Sequence, residues 1–301
     1  MSLGIDTLDP IQSAIPDWQA IVVALLTQLG DVWFVVAVLL GLYWFHPSKR
    51  REVATLAGVM LSGIGIYRGF KALFAIPRPD EPLRDPETVS TMVQPLYEAT
   101  ATATGYGFPS GHATTSTILY FGLAGVLAVG SRRTRYAAAA ALVATVSATR
   151  VVLRVHYLQD VVAGVALGLT LLAGTHLVLS RVDTDEPAAT FGLAILCSGF
   201  YLYTSAAEPD AILLTGATLG AFVGWQATRI DGSRIRMTPF GRPVSSRAMI
   251  AALSLGAALL AVVTFTRVPA LAASLVAGLF TAFAISAPVV RPSSLENIVP
   301  A

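Results

Sequence analysis

Eight residues of this sequence carry side chains or backbone groups that could bind an anion and transfer a group. They are Lys71, Arg78, Ser110, Gly111, His112, Arg150, His156 and Asp160. The three cations among them need an anion if they are to share a site of low dielectric, and arginine forks suit phosphate oxygens. The segment FPSGH, residues 108–112, predicts a helix N-terminus whose free N–H groups add to an anion site. Gly111 would let the backbone approach the ligand closely.

The two histidines add chemistry to this anion site. His156 and Asp160 are four residues apart at a predicted helix start, so the carboxylate can hold one ring nitrogen and leave the other as a nucleophile. His112 can protonate a leaving alcohol oxygen as a general acid. This combination predicts phosphoryl transfer through a phosphohistidine. Because the cations can do what magnesium does elsewhere, we expect no metal ion and no cofactor.

The elements that must position these residues are membrane helices. Of the 301 residues, 54% are hydrophobic and 13% are charged, against roughly 25% charged in a soluble domain. This composition excludes a soluble globular protein, and a net charge of +2 is too small to indicate nucleic-acid binding. A crossing helix needs about 20 apolar residues. We therefore predict an all-α, polytopic protein with about nine transmembrane helices, at residues 31–46, 53–76, 111–130, 136–155, 158–180, 188–206, 209–227, 248–266 and 269–290.

Three parts of the chain follow from this division. Residues 1–30 form an N-terminal segment, in which 18–29 is an interfacial or re-entrant helix capped by Asp17, or else an extension of the first span with a kink at Gly30-Asp31. Residues 31–180 form the core that carries the eight residues. Residues 188–290 form a four-helix extension without a catalytic constellation, which could serve as a dimer surface, a wall for a lipid tail or a scaffold.

The positions of the cations predict the orientation. Alternate connections carry 13 Lys and Arg residues, including Lys49, Arg132, Arg181 and a basic loop at 228–247. The positive-inside rule places these connections in the cytoplasm of a multi-pass cell-membrane protein. The N-terminus is then outside, the C-terminus is cytoplasmic, and the candidate site is extracytoplasmic. The outer loop 77–110 is long enough to be functional and carries an acidic cluster of Asp80, Glu81, Asp85 and Glu87.

Three motifs resemble the signature of the type 2 phosphatidic acid phosphatase superfamily. Residues 71–79 match the pattern K-x6-R-P, and residues 109–112 match P-S-G-H. Residues 149–160 match S-R-x5-H-x3-D, with Thr149 in place of Ser. That superfamily contains lipid phosphate phosphatases, glucose-6-phosphatase and the soluble vanadium haloperoxidases. The membrane composition of this chain argues against the haloperoxidase branch.

The resemblance covers residues 30–180 and implies a core of five or six helices with its site at the outer leaflet. It implies one role for each residue of the set. The phosphate would be held by Lys71, Arg78, Ser110, Gly111 and Arg150, with His112 as the general acid and His156 as the nucleophile oriented by Asp160.

The predicted function is a membrane-integral, metal-independent phosphatase that hydrolyses a lipid phosphate monoester or an isoprenoid (polyprenyl) pyrophosphate. Its partners would be that substrate and the membrane lipids, and a homodimer is left open. A phosphotransferase or a sugar-phosphate phosphatase could use the same site. A transporter or scramblase that binds an anionic lipid without chemistry is the alternative of a different class, which the scarcity of polar residues in the inner halves of the spans disfavours.

The remaining polar or small residues in or near the spans receive structural interpretations. We expect an ion pair for Arg68, pairing or lipid contact for Arg154, and close helix packing at Gly164 and Gly168. Glu208 and Asp210 could face the mouth of the site. Packing or structural roles are expected for Tyr106, Tyr157, His46, His176 and Cys197.

Overall fold

The protein is all-helical in the part of the chain that the structure, a computed structural model, describes. That part comprises residues 17–79, 94–101, 103–229 and 269–286, with Leu83, Glu87 and Thr91 singly. Its α-helices are α1 (Asp17–Thr27), α2 (Val32–Phe45), α3 (Arg50–Phe74), α4 (Gln94–Ala101), α5 (Gly111–Val126), α6 (Arg132–Val152), α7 (Leu158–Leu179), α8 (Glu186–Thr204), α9 (Pro209–Thr228) and α10 (Pro269–Ser286). The predicted span 248–266, the acidic Asp80, Glu81 and Asp85, and residues 230–247 of the basic loop lie outside the described residues.

Several long apolar helices are compatible with a membrane protein, but the predicted number of nine spans is not confirmed. Among the described residues, four helices are long and apolar enough to cross a bilayer, and a bent pair raises the number to five. The four are Pro47–Phe74, Leu158–Leu179, Glu186–Thr204 and Pro209–Thr228. Helix α5 has 16 residues, about 24 Å at 1.5 Å per residue, which is shorter than a hydrocarbon core of about 30 Å.

The bent pair is made of α1 and α2. The segments Gln19–Gly30 and Val32–Phe45 meet at an angle of 48°, through a short 3-10 helix at Gln28–Gly30. Asp31 ends the bend and caps α2, because its carboxylate accepts from the backbone N–H of Val32 at 2.6 Å. Both interpretations of residues 18–29 fit this geometry. The side chain of Asp17, the predicted cap of α1, lies outside the described side chains.

Helix α1 packs onto the segments that carry the candidate site. Ala20 and Ala24 are buried in one apolar cluster with Tyr97 of α4 and with Leu153 and Val155, which follow α6. The outer loop, predicted without an element of its own, therefore contains a helix that covers this end of the bundle. No local pattern predicted α4, because its stability depends on this distant apolar contact.

Glycines set the spacing between the central helices. A Cβ on Gly164 of α7 would lie 2.5 Å from the carbonyl oxygen of Ser110, and one on Gly168 would lie 2.8 Å from Thr117 Cβ. No side chain fits at either place, so the close packing predicted for this pair is confirmed. It brings the N-terminus of α5 beside the N-terminus of α7, where Asp160 lies.

Candidate active site

A tight turn after α6 positions His156. The backbone N–H groups of Val155 and His156 both donate to the carbonyl of Arg150 at 3.2 Å, and Arg154 between the helices adopts a left-handed backbone with φ +57°. The buried side chain of Leu153 anchors the turn in the cluster with α1. The turn thus keeps His156 close to the end of α6 that carries Arg150, and both residues line the same cavity.

His156 and Asp160 form a buried pair with a defined proton position. His156 Nδ1 lies 3.2 Å from Asp160 Oδ2, and the Tyr157 N–H donates to the same oxygen at 3.0 Å. His156 Nε2 lies 3.1 Å from Arg78 Nη1. A guanidinium can only donate a hydrogen bond, so Nε2 must be the accepting nitrogen. Nδ1 therefore carries the ring proton and donates a hydrogen bond to Asp160. The unprotonated ring nitrogen therefore lies on the side of Arg78 and accepts a hydrogen bond from it.

The electrostatic surroundings favour the neutral form of His156. Burial, followed by the positive charges of Arg78, Lys71 and Arg150, holds the pKa of His156 well below its ordinary value. The imidazole therefore keeps its electron pair at pH values where a free histidine, with a pKa of about 6.5, is protonated.

A titration of the ring tests this directly. In protein labelled with ¹⁵N-histidine, we expect the resonance that is missing from a His156→Ala sample to titrate well below pH 6.5, because protonation would place a second positive charge beside Arg78. Because the pKa of His156 is lower in the folded protein, the unfolded chain binds this proton more readily than the folded chain does. The contribution of His156 to the free energy of unfolding therefore decreases as the pH falls below the ordinary histidine pKa. A midpoint at or above the free value would contradict this environment.

Backbone carbonyls hold the two cations that flank His156. Lys71 Nζ donates to the carbonyls of Tyr106 at 2.7 Å and Gly107 at 3.1 Å. Arg78 Nε donates to the carbonyl of Gly105 at 3.2 Å, and its Nη1 donates to that of Val155 at 2.7 Å. The segment 105–107 thus fixes the two charges of the first motif in front of the nucleophile candidate.

Arg150 is the most buried cation, with 3% of its surface exposed. Its Nη1 donates to Thr27 Oγ1 at 2.8 Å and to the carbonyl of Thr100 at 3.3 Å. Its Nε has no hydrogen-bond partner within the described residues. A buried donor without a partner is costly. Arg150 also lines the cavity, where its charge favours a bound anion.

The N-terminus of α5 carries the second motif. Ser110 is the N-cap, since its hydroxyl accepts from the Ala113 N–H at 3.5 Å, and its own N–H donates to the carbonyl of Asp160 at 2.8 Å. A Cβ on Gly111 would lie 2.8 Å from Tyr67 Cε2. The absence of a side chain at Gly111 is therefore required by the Tyr67 ring, besides leaving the helix end open to the cavity.

One cavity of about 470 Å³ collects most of the predicted site residues, which is within the range of about 300–1,000 Å³ usual for small-molecule sites. Ser110 and Asp160 are fully buried behind its wall. The predicted residues that line it are Lys71, Arg78, Gly111, His112, Arg150 and His156.

Sequence reasoning missed part of the wall. Asp31 and Thr100 line the cavity, although they come from the bend and the outer loop, where no motif marks them. The ion pair expected for Arg68 is present, with Asp210 at 2.6 Å. Arg68, Asp210 and Glu208 also line the cavity, so the acidic turn between α8 and α9 does lie at the site.

The fold and the site define a helical, membrane-type protein with a cationic cavity that contains two histidines. The PAP2 superfamily model matches residues 52–183, in agreement with the superfamily that the three motifs resemble. Since the superfamily contains phosphatases, the match supports a phosphoric monoester hydrolase in general terms. The matched region, residues 52–183, contains all three motifs but neither Asp31 nor helices α8–α10. Neither the curated proteins nor the solved structures include a significant match to the chain.

Replacing the carboxylate behind His156 provides a first functional prediction. We expect Asp160→Asn to lower the turnover rate by about 10²- to 10⁴-fold without abolishing it, because the amide can occupy the same space but no longer stabilises the charged ring. Phosphate release by the purified variant measures the loss, and Asp183→Asn, beyond the other end of α7, is the matched control. An Asp160→Asn rate equal to the wild-type rate would show that this pair does not orient the nucleophile.

Proposed function

We propose that the protein is a membrane-integral phosphatase that hydrolyses a lipid phosphate monoester or an isoprenoid pyrophosphate through a phosphohistidine on His156. One observation carries the proposal. His156, whose unprotonated Nε2 lies 3.1 Å from Arg78 Nη1, lines a cavity together with three cations and a second histidine, His112. A site of this kind can bind a phosphate, attack its phosphorus and protonate the group that leaves.

The reaction balances with the residues present. In the first step the Nε2 electron pair of His156 forms a bond to phosphorus, the bond from phosphorus to the leaving oxygen breaks, and His112 gives that oxygen its proton. In the second step water attacks the phosphorus, His112 accepts a proton from the water, and the N–P bond breaks. Arg78, Lys71 and Arg150 stabilise the negative charge of the five-coordinate transition state.

The surroundings of the cavity support a lipid substrate. Leu73 and Phe74 lie in the last turn of α3, two and three residues after Lys71, and both have exposed apolar side chains. Trp33, beside the cavity residue Val32, is also exposed. An acyl or prenyl tail could lie against this apolar surface while its phosphate enters the cavity.

The distribution of charge along the helices supports an extracytoplasmic site. Helix α3 begins at Arg50 and carries Lys71 near its other end, and α6 begins at Arg132 and ends near Arg150. The basic connections thus lie at the helix ends opposite the cavity. With the positive-inside rule, that arrangement favours a cytoplasmic location for the connections and an outer location for the cavity.

A phosphate-release assay tests the proposal. The full chain, purified in detergent with EDTA, is given phosphatidate, a polyprenyl pyrophosphate and glucose 6-phosphate. We expect release from at least one of the two lipid substrates and inhibition by vanadate, which resembles the transition state. Transfer of labelled phosphate to an added alcohol without release would indicate the transferase alternative. Binding of an anionic lipid with no turnover of any substrate would contradict the proposal and favour the transporter or scramblase.

A further inference from the structure

The bend between α1 and α2 brings a carboxylate to the general-acid candidate. Asp31 Oδ2 lies 3.9 Å from His112 Nε2, which is an ion-pair distance and is too long for a hydrogen bond. Both residues line the cavity. Asp31 belongs to none of the three motifs and precedes the matched region 52–183, so nothing in the family match assigns it a role.

Packing fixes the position of this carboxylate. Thr115 and Tyr120 of α5 donate their hydroxyl hydrogens to the carbonyls of Gly30 at 2.7 Å and Leu29 at 2.8 Å. A Cβ on Gly30 would lie 3.2 Å from the carbonyl oxygen of His112, so the bend contacts the helix that bears the histidine almost backbone to backbone. Two hydrogen bonds from α5 therefore hold the two residues before Asp31 in register with His112.

The cations around His112 explain why a carboxylate is needed beside it. The positive groups that act on the His112 ring are Arg150 of α6, Lys71 of α3 and Arg78 of the loop after α3. A general acid must carry a proton when the leaving group departs, and three nearby cations oppose the positive imidazolium. A carboxylate at ion-pair distance opposes their effect.

We propose that Asp31 is a positioning residue for His112: it orients the ring and stabilises the imidazolium that protonates the leaving oxygen. This inference rests on the proposed phosphatase function and assigns a residue outside the three motifs to the same site. Asp31 takes no part in the bond changes. The proton passes from His112 to the leaving oxygen in the first step and returns to His112 from water in the second.

Dependence on the leaving group distinguishes this role from a structural one. An alkyl alkoxide needs a proton to depart, whereas p-nitrophenolate departs readily without one. We expect Asp31→Asn to lower kcat/KM for an alkyl phosphate by about 10- to 10²-fold, and that for p-nitrophenyl phosphate by less than about threefold. Asn can still accept from the Val32 N–H and cap α2, so the change removes the charge and keeps the cap.

Further variants complete the experiment. Asp31→Glu, which restores a carboxylate, should recover most of the activity on the alkyl ester. Asp31→Ser also caps helices without a charge and provides the same comparison if the Asn variant does not fold. Ser131→Ala removes the N-cap of α6, at the end of that helix opposite Arg150. It should lower both rates equally or not at all.

Two results would overturn the inference while leaving the phosphatase proposal intact. One is an unchanged Asp31→Asn enzyme, and the other is an equal loss on both esters, which would indicate a role in folding or helix capping alone. If the wild-type protein releases phosphate from neither the esters nor the lipid substrates, the proposed function itself fails.

Discussion

His156→Ala is expected to abolish phosphate release, with a fall in kcat of at least ~10⁴-fold, as removal of a covalent nucleophile does in other enzymes. The physical reason is that Nε2 of this cavity-lining residue carries the electron pair, beside Arg78, while Nδ1 is held by Asp160 at 3.2 Å. Phosphate release and trapping of labelled phosphate on the protein measure the loss. The labelled intermediate should disappear together with turnover.

The controls for this variant separate chemistry from folding. His156 is 2% exposed, so Ala leaves a cavity and removes a partner of the buried Asp160. His156→Asn keeps a donor near that carboxylate and should be equally inactive. His176→Ala changes an exposed histidine near the far end of α7 and should keep the wild-type rate. Labelled protein recovered from a folded His156→Asn variant would identify a different nucleophile.

Arg150→Met should cause the second-largest loss, about 10³-fold in kcat/KM, because an arginine that stabilises a phosphoryl transition state contributes on this scale. The arginine is buried and lines the cavity, so its charge acts on a bound phosphate through little intervening water. Met fills a similar volume without a charge. Steady-state kinetics on the preferred substrate, with inorganic phosphate as a competitive inhibitor, measure the change.

Arg150→Lys separates charge from geometry. Lysine retains the positive charge, but one ammonium group cannot contact Thr27, the carbonyl of Thr100 and a phosphate with the spacing of a guanidinium fork. We expect a loss intermediate between wild type and Met. Arg132→Met, at the other end of α6, is the control. Equal rates for Arg150→Lys and wild type would mean that charge alone suffices.

The local part of this site could be predicted from the sequence, and the distant part could not. His156 and Asp160 meet because His156 lies just before α7 and Asp160 lies in the first turn of that helix. Ser110 caps a helix because its residue type and position favour it. Similarly, the predicted span 158–180 agrees with the observed Leu158–Leu179. These features depend on neighbours in sequence, which a pattern can register.

The contacts of Asp31, Thr27 and Thr100 depend on packing between segments far apart in the chain. Arg150 is 123 residues from Thr27, and no periodicity or motif encodes such a pair. The same reason explains why α4 was not predicted. The predicted number of nine spans is not confirmed, in part because α5, which begins at the site, has 16 residues and is shorter than a bilayer core. A threshold of apolar length cannot describe such a helix.

The glycine face of α3 has a consequence for any attempt to isolate the matched region. A Cβ on Gly58 would overlap Thr190, and one on Gly65 would lie 2.6 Å from the backbone of Cys197, so α8 is packed onto the helix that presents Lys71. A fragment that stops near residue 183 would uncover a groove shaped for that helix. Such an excised fragment should aggregate or recruit a surrogate helix, and co-expression of the missing C-terminal piece should restore a soluble complex in detergent.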